Sequence, residues 1–151
     1  MTMTISDISK HMKAIDFCML VSRAQDGSLG GRPMSNNQKV DYEGDSFFFS
    51  YDDTRMVEDI GRDASVGLTY SGSPAADMPK GAPGLFIHVE GEAKLIRDKD
   101  KFAKHWDKSL SRWFEQGVDT PGMIMIKVAA KRIHYWAGED EGEVKVPDPA
   151  N

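Results

Sequence analysis

A single cysteine, Cys18, leaves this chain unable to form an intrachain disulfide. That excludes a disulfide-built secreted scaffold and makes a reducing compartment the expectation. No apolar run approaches the length needed to cross a bilayer, so no membrane partner is expected. The opening segment MTMTISDISKHMKA has no apolar core of signal-peptide length, and a cytoplasmic protein is expected. The familiar phosphate signatures are missing too: there is no strand-linked GxGxxG and no GxxxxGKS/T loop. Neither HExxH nor CxxC is present, and no GxSxG elbow supports a serine nucleophile. Positive charge is scarce, with 19 Lys and Arg against 24 Asp and Glu, a formal net charge of −5 and a pI near 5.3. A protein that coats nucleic acid is therefore not expected. A small anionic ligand remains possible, because one local pair of arginines can hold a phosphate.

What is present fits one globular domain: 151 residues, 40% hydrophobic and 28% charged. Residues 6–15 place Ile8, Met12 and Ile15 on one helical face, with Ser6 as the expected cap. FCMLVSRA is β-permissive and is followed by turn chemistry in QDGSLGG. QKVDYEGDSFFFSY reads as a strand, a Glu43-Gly44-Asp45 turn and a second strand. TRMVEDIGRD returns to helical spacing, capped by Asp53 or Thr54, and SVGLTY alternates as a strand. Residues 71–84, rich in proline and glycine, read as a loop that is either a lid or a plain connection. LFIHVEGEAKLI reads as a strand broken at Gly91. Between Lys99 and Gln116, Phe102, Trp106, Leu110 and Trp113 form one helical stripe. GMIMIKVAAKRIHYW reads as one long strand or a bent pair. The pattern predicts a mainly β fold of about six antiparallel strands curling into a barrel, with flanking helices closing its ends. The domain is expected over residues 1–138, with 139–151 a frayed acidic tail.

Few side chains offer acid–base or metal chemistry. His88 and Glu90 share one face of a strand, which reads as a polar face more readily than as a metal pair without a third ligand. His11, His105 and His134 stand alone, and Cys18 lies in an apolar strand without basic neighbours. Trp106, Trp113 and Phe114 read as core or dimer packing before they read as a substrate pocket.

The stretch GRPMSNNQKV is different. Pro33 removes one ladder donor, so it belongs on an edge or at a bulge, where free backbone groups can meet a planar ligand. Arg32 stands there beside Ser35, Asn36 and Asn37. A second anion-binding candidate is Ser50, Thr54 and Arg55, where a strand gives way to a helix N-terminus. Thr54-Arg55 also reads as a plain cap with a solvated charge. If residues 32–40 pair with 46–51 through the Gly44 turn, both arginines face one phosphate.

GRPMSNNQ, then FFFSYDDTR, then HVEGEAKLI, then RIHYWAG follow the order found in the pyridoxamine 5'-phosphate oxidase-like FMN-binding split barrels. RPM, DKSLSRWFEQGVDTP and the I-x-Y-W ending resemble the bacterial general stress protein subgroup, and the resemblance spans roughly residues 8–138. It implies a homodimer of six-stranded antiparallel Greek-key split β-barrels, with FMN (FAD as the alternative) at the subunit interface. It implies that Arg32 and the Thr54-Arg55-Met56 run hold the phosphate, flanked by Pro33, Met34 and Ser35. Phe49, Ser50 and Tyr51 would meet the ring and ribityl chain, and Trp136 would reach the flavin from the other subunit. Met56 stands where the family carries lysine, and Phe86 where it carries glutamine. The acidic AGEDEGEVKV replaces the cationic ending that grips a phosphorylated substrate, setting the chain apart from the oxidases that make pyridoxal phosphate. The implied activities are a flavin-dependent oxidoreductase acting on a small molecule, or a flavin-binding protein without turnover.

Overall fold

Local capping chemistry sets where the elements begin. Helix α1 (Ile5–Lys13) starts at Thr4, whose hydroxyl accepts from the Asp7 N–H while the Asp7 carboxylate accepts from the Thr4 N–H. This reciprocal box displaces the expected Ser6 cap, because only Thr4 has an acidic residue three positions on. The structure is a computed structural model, and it describes residues 2–36, 41–73 and 84–147. The expected loop at 71–84 and the strand leading into Tyr42 fall largely outside those residues.

Strand β1 (Phe17–Arg23) buries Cys18, Leu20 and Ser22 in alternation. A turn at Gly27, with φ +87, returns the chain as β2 (Leu29–Ser35), paired with β1 from Phe17↔Ser35 to Arg23↔Leu29. Then come β3 (Asp45–Tyr51), α2 (Arg55–Arg62), β4 (Ser65–Gly72) and β5 (Leu85–Ile96). Helix α3 (Lys99–His105) precedes two 3-10 turns, Lys108–Arg112 and Gly117–Asp119, and β6 (Met123–Ala137) and β7 (Asp140–Val144) close the order.

The single helix expected over residues 99–116 is thus broken. Trp106 is extended, and the Asp107 carboxylate accepts from the Ser109 N–H to start a new turn. An aspartate cap competes with helix continuation, and it wins here over the apolar stripe.

All strand pairs are antiparallel, in the order β2-β1-β4-β5-β6-β3, with β7 added to β6. Among the described residues, the sheet has seven strands rather than six, and it is not closed. The seventh strand comes from the segment read as a frayed tail. Gly138, with φ +63, turns the chain back. Glu143 then accepts from Arg132 Nε at 2.6 Å, Glu141 meets His134 Nε2 at 3.0 Å, and Val144 is buried.

β6 carries the fold. It pairs with β5 from Met125 to Ala137, while its other edge pairs first with β3 and then with β7. The β5–β6 register shifts between Glu90 and Gly91, close to that exchange of partners. Glycine is required there: a Cβ at Gly91 would lie 2.8 Å from the Ala129 carbonyl oxygen and 2.8 Å from Val128 Cγ1. Curvature at this bulge lets one strand serve two partners.

The main core lies between the curled sheet and helices α1 and α2, built on Leu20, Leu68, Tyr70, Ile87, Ile126 and Ile133. A second core cluster joins Phe49, Met123 and Met125 of the sheet to Phe102, Leu110 and Phe114 of the 99–119 segment. Each large apolar side chain so buried contributes roughly 1.5–3 kcal/mol. Among the described residues, no helix is long and apolar enough to cross a membrane.

Candidate functional site

Among the described residues, β2 pairs only with β1, and β3 only with β6, so each presents one edge unpaired by them. Between these edges lies a cleft of about 310 Å³. Pro33, Met34 and Ser35 line it from β2, and Phe49, Ser50 and Tyr51 from β3. Phe17 of β1 and Leu110, Trp113 and Phe114 of the 3-10 segment complete it. Half of these lining residues are aromatic, and Ser35, Ser50 and Tyr51 supply the hydroxyls. Among the described residues, no carboxylate, imidazole, amine or thiol lines it.

The aromatic wall is held in place. The Tyr51 hydroxyl donates to the Trp113 carbonyl at 3.2 Å, and its ring lies 5.1 Å from that of Phe114. Phe17 meets Trp113 edge-on at 5.9 Å. The Arg112 guanidinium covers the Trp113 ring at 3.8 Å and pairs with Asp16 at 3.0 Å. Asp16 also accepts from the Ser35 hydroxyl at 3.0 Å. Trp113 nonetheless stays 42% exposed and Phe17 46% exposed.

Arg32 faces a different way from its neighbour Pro33. Its Nη1 donates to Ser22 Oγ at 2.7 Å, with the Gly30 and Leu20 carbonyls at 3.3 and 3.4 Å. Burial pulls this guanidinium below its ordinary value; Asp59 works against that shift and Arg55 with it. Arg32, Arg55 and the buried Asp59 thus feel one another, and Asp59 is held by Arg62 Nη2 at 2.7 Å. Thr54 caps α2, its hydroxyl accepting from the Val57 N–H at 3.3 Å. The first N–H groups of α2 have no intrahelical partner and point out of the helix end, beside Arg55.

Among the described residues, the pairing considered between residues 32–40 and 46–51 is not made, and residues 37–40 lie outside them. The tight Gly27 turn commits β2 to β1 along its full length, and β3 docks on the long β6. The two segments meet across the open seam instead, through side chains lining one cleft. Asn37 lies outside the described residues. Asn36 is occupied elsewhere, its Nδ2 donating to the Met12 and Ile15 carbonyls at 2.8 and 3.1 Å. Met56 is buried in the main core, so its position serves packing.

Trp136 does not line the cleft within its own chain. It stacks on His134 at 4.4 Å and borders a separate hollow with His88, Glu90 and Arg132. Phe86 lies directly opposite it on β5. His88 contacts the Thr69 hydroxyl at 3.2 Å, and Glu90 pairs with Arg132 at 3.9 Å. No group of three potential metal ligands occurs among the described residues. Cys18 is buried, and burial pushes its thiol up to about 12, so it is no nucleophile.

Phe17 and Leu110 escaped sequence reasoning as lining residues, while Trp113 and Phe114 were weighed as a pocket and read as packing first. A continuous helix put Trp113 and Leu110 on one buried stripe. The break at Trp106 and Asp107 turns Trp113 toward the seam. The signal for that break was the aspartate before Lys108-Ser109, a cap motif inside an apolar period.

Comparison with known proteins places this architecture. The sequence model of the family described as Pyridoxamine 5'-phosphate oxidase like matches residues 3–147. The protein bli-3 of Neurospora crassa is 24% identical over 155 residues, covering 97% of this chain and 70% of its own. A crystal structure of a Clostridium acetobutylicum protein related to general stress protein 26 superposes with a TM-score of 0.76 at 14% identity, covering 94% of each chain. General stress protein 26 of Bacillus anthracis gives 0.68 at 19% identity, covering 90% of this chain and 95% of its own. The chain, with its unclosed antiparallel sheet and flanking helices, belongs to the pyridoxamine 5'-phosphate oxidase-like family.

Proposed function

We propose that this protein binds FMN in the seam cleft, as a homodimer, and acts as a flavin-dependent oxidoreductase on a small molecule. The observation that carries the reading is the cleft itself. An aromatic slot between two free strand edges lies close in sequence to a paired-arginine site at a helix N-terminus. A flat ring suits Phe17, Phe49 and Trp113, and a terminal phosphate suits Arg32, Arg55 and the free N–H groups of α2. Met34, Ser35 and Ser50 offer further contacts to a polyol chain, and Tyr51 braces the wall through Trp113.

The bound flavin would supply electron transfer to and from carbon or nitrogen centres. The chain's own residues bind it, orient its ring and keep water from one face. The unclosed seam also leaves room for the longer tail of FAD.

The dimer reading rests on the outward sheet face. Phe17, Met19, Phe86 and Trp136 are each between 41 and 46% exposed there. Apolar side chains so placed fit a face covered by a second copy. Trp136 of the partner subunit would then contribute to the flavin site. A single buried cysteine fits the reducing interior of a cell.

One observation favours a second reading, a flavin-binding protein without turnover. Among the described residues, no titratable side chain other than Tyr51 lines the cleft, so none of them places a general acid or base beside the ring. Fluorescence titration with FMN, FAD and riboflavin tests binding, and anaerobic reduction by NADPH separates the two readings. Binding of FMN well above riboflavin, followed by reduction, is expected. Absence of binding by all three flavins refutes both readings. Binding without reduction by any nicotinamide supports the second.

A further inference from the structure

A second hollow lies along β3 from the seam cleft and shares no lining residue with it. Phe47 lines this hollow and Phe49 the seam cleft, and Phe49 is packed edge-on against Phe102 at 5.8 Å and Trp106 at 5.2 Å. The hollow has a volume of about 250 Å³ and an apolar floor of Phe47, Ile96 and Met125. Its rim is cationic. Lys94 and Lys127 rise from the sheet, and Lys101 and Lys104 hang from α3.

This arrangement works against folding. Lys94 and Lys127 are directly opposite each other on β5 and β6, and Phe47 is directly opposite Lys127 on β3. Like charges in a cross-strand pair destabilise a sheet. Two further lysines overhead add to the repulsion. Asp45 lies 3.7 Å from Lys127, while Lys94, Lys101 and Lys104 make no carboxylate contact in the hollow among the described residues. The chain as a whole carries a net charge of −5, so acidic residues were available to relieve the cluster. His105 stacks on Phe47 at 3.5 Å, completing a flat imidazole–phenyl wall. Burial, then Lys104 and Lys127, hold its pKa below the ordinary value, against Asp45.

We propose that this hollow is a binding site for a small organic polyanion, an apolar body carrying a diphosphate. Four ammonium groups less the one carboxylate of Asp45 leave three positive charges to match. A phosphomonoester brings about −2 and leaves a cation unmatched. A diphosphate matches the set, and the Phe47, Ile96 and Met125 floor accepts the apolar body. The ammonium rim is partly exposed, so binding weakens as salt screens it. The site shares no residue with the seam cleft and does not depend on flavin binding there.

The probe is ADP, titrated calorimetrically into the full chain at low salt, with adenosine and pyrophosphate as controls. ADP is expected to bind, pyrophosphate to bind more weakly, and adenosine not to bind. Lys94→Glu and Lys101→Glu should each weaken ADP by about tenfold or more, the worth of a charge-assisted contact. Arg55→Ala, at the other site, should leave ADP affinity unchanged. Lys94→Glu should also raise the Tm, because a cross-strand ion pair with Lys127 replaces a repulsion. If Lys94→Glu fails to fold, Lys101→Glu, on the exposed surface of α3, tests the same cationic rim. The proposal is overturned if ADP does not bind, or if both reversals leave its affinity intact. Loss of ADP binding in Arg55→Ala also overturns it, by moving the ligand to the seam. Equal affinity for pyrophosphate and ADP overturns the requirement for an apolar body.

Discussion

Removing one guanidinium at a time is the sharpest perturbation of the proposed flavin site. Arg55 is exposed at the first position of α2, whereas Arg32 is half-buried on β2 against Ser22. A hydrogen bond to a charged group is worth about 1.5–3 kcal/mol. Solvent screening places Arg55 at the lower end and burial places Arg32 at the upper end. Arg55→Ala should therefore weaken FMN by about 13-fold, and Arg32→Ala by about 160-fold. Arg32→Ala carries a second cost, because the Ser22 hydroxyl, 1% exposed, loses its donor at 2.7 Å. That cost falls on the unliganded fold, so urea unfolding without flavin must be measured beside the titration. Riboflavin, which lacks the phosphate, is the internal control: its affinity should not change in Arg55→Ala. Raising the salt should weaken FMN less in either variant than in the parent. An unchanged FMN affinity in both variants would place the phosphate elsewhere. A parallel loss of riboflavin would mean that the arginines shape the cleft and do not bind the anion.

Trp113→Ala should reduce affinity for FMN and riboflavin alike while lowering Tm only slightly, because the indole is half-exposed; flavin titration and thermal melts check this. Gly91→Ala should destabilise the fold by roughly 1–3 kcal/mol, since its Cβ would meet a β6 backbone oxygen that moves only with the strand. A fall in Tm of roughly 2–4 °C per kcal/mol is the expected readout at this size. Cys18 predicts alkaline behaviour with a definite sign. Its folded pKa is raised from 9.0 to about 12, so its contribution to stability is complete below pH 9 and is lost as pH rises toward 12. Tyr42 and Tyr70 are shifted upward by burial as well and add to that decline. Urea midpoints measured between pH 8 and 11 should fall, and the Cys18→Ala variant should fall less steeply at the start of that window.

Much of the scaffold was legible in local chemistry. Thr54 before a helical period, Gly91 inside a strand and the alternation of β4 each announced their structure, because caps, bulges and pleats depend on near neighbours. The stretch GRPMSNNQKV was half legible. Pro33 signalled an edge strand, and an edge strand is where β2 runs. Its partner was left open, because a hairpin through Gly44 and a hairpin through Gly27 are equally good locally. Only the long β6, able to accept β3 on one edge, settles the competition.

The sequence by itself determined the mainly antiparallel fold, the single buried thiol, the shortage of acid–base side chains and the family pattern. These follow from composition, period and motif order. Tertiary structure alone decided that Arg32 and Arg55 come within electrostatic reach, and that β2 and β3 face each other across an open seam. It also decided that Trp113 turns into that seam and that four lysines converge on one hollow. Those facts depend on which strand edge is left unpaired and on where a helix breaks. Both are set by competition among long-range partners, which no local window of the chain contains.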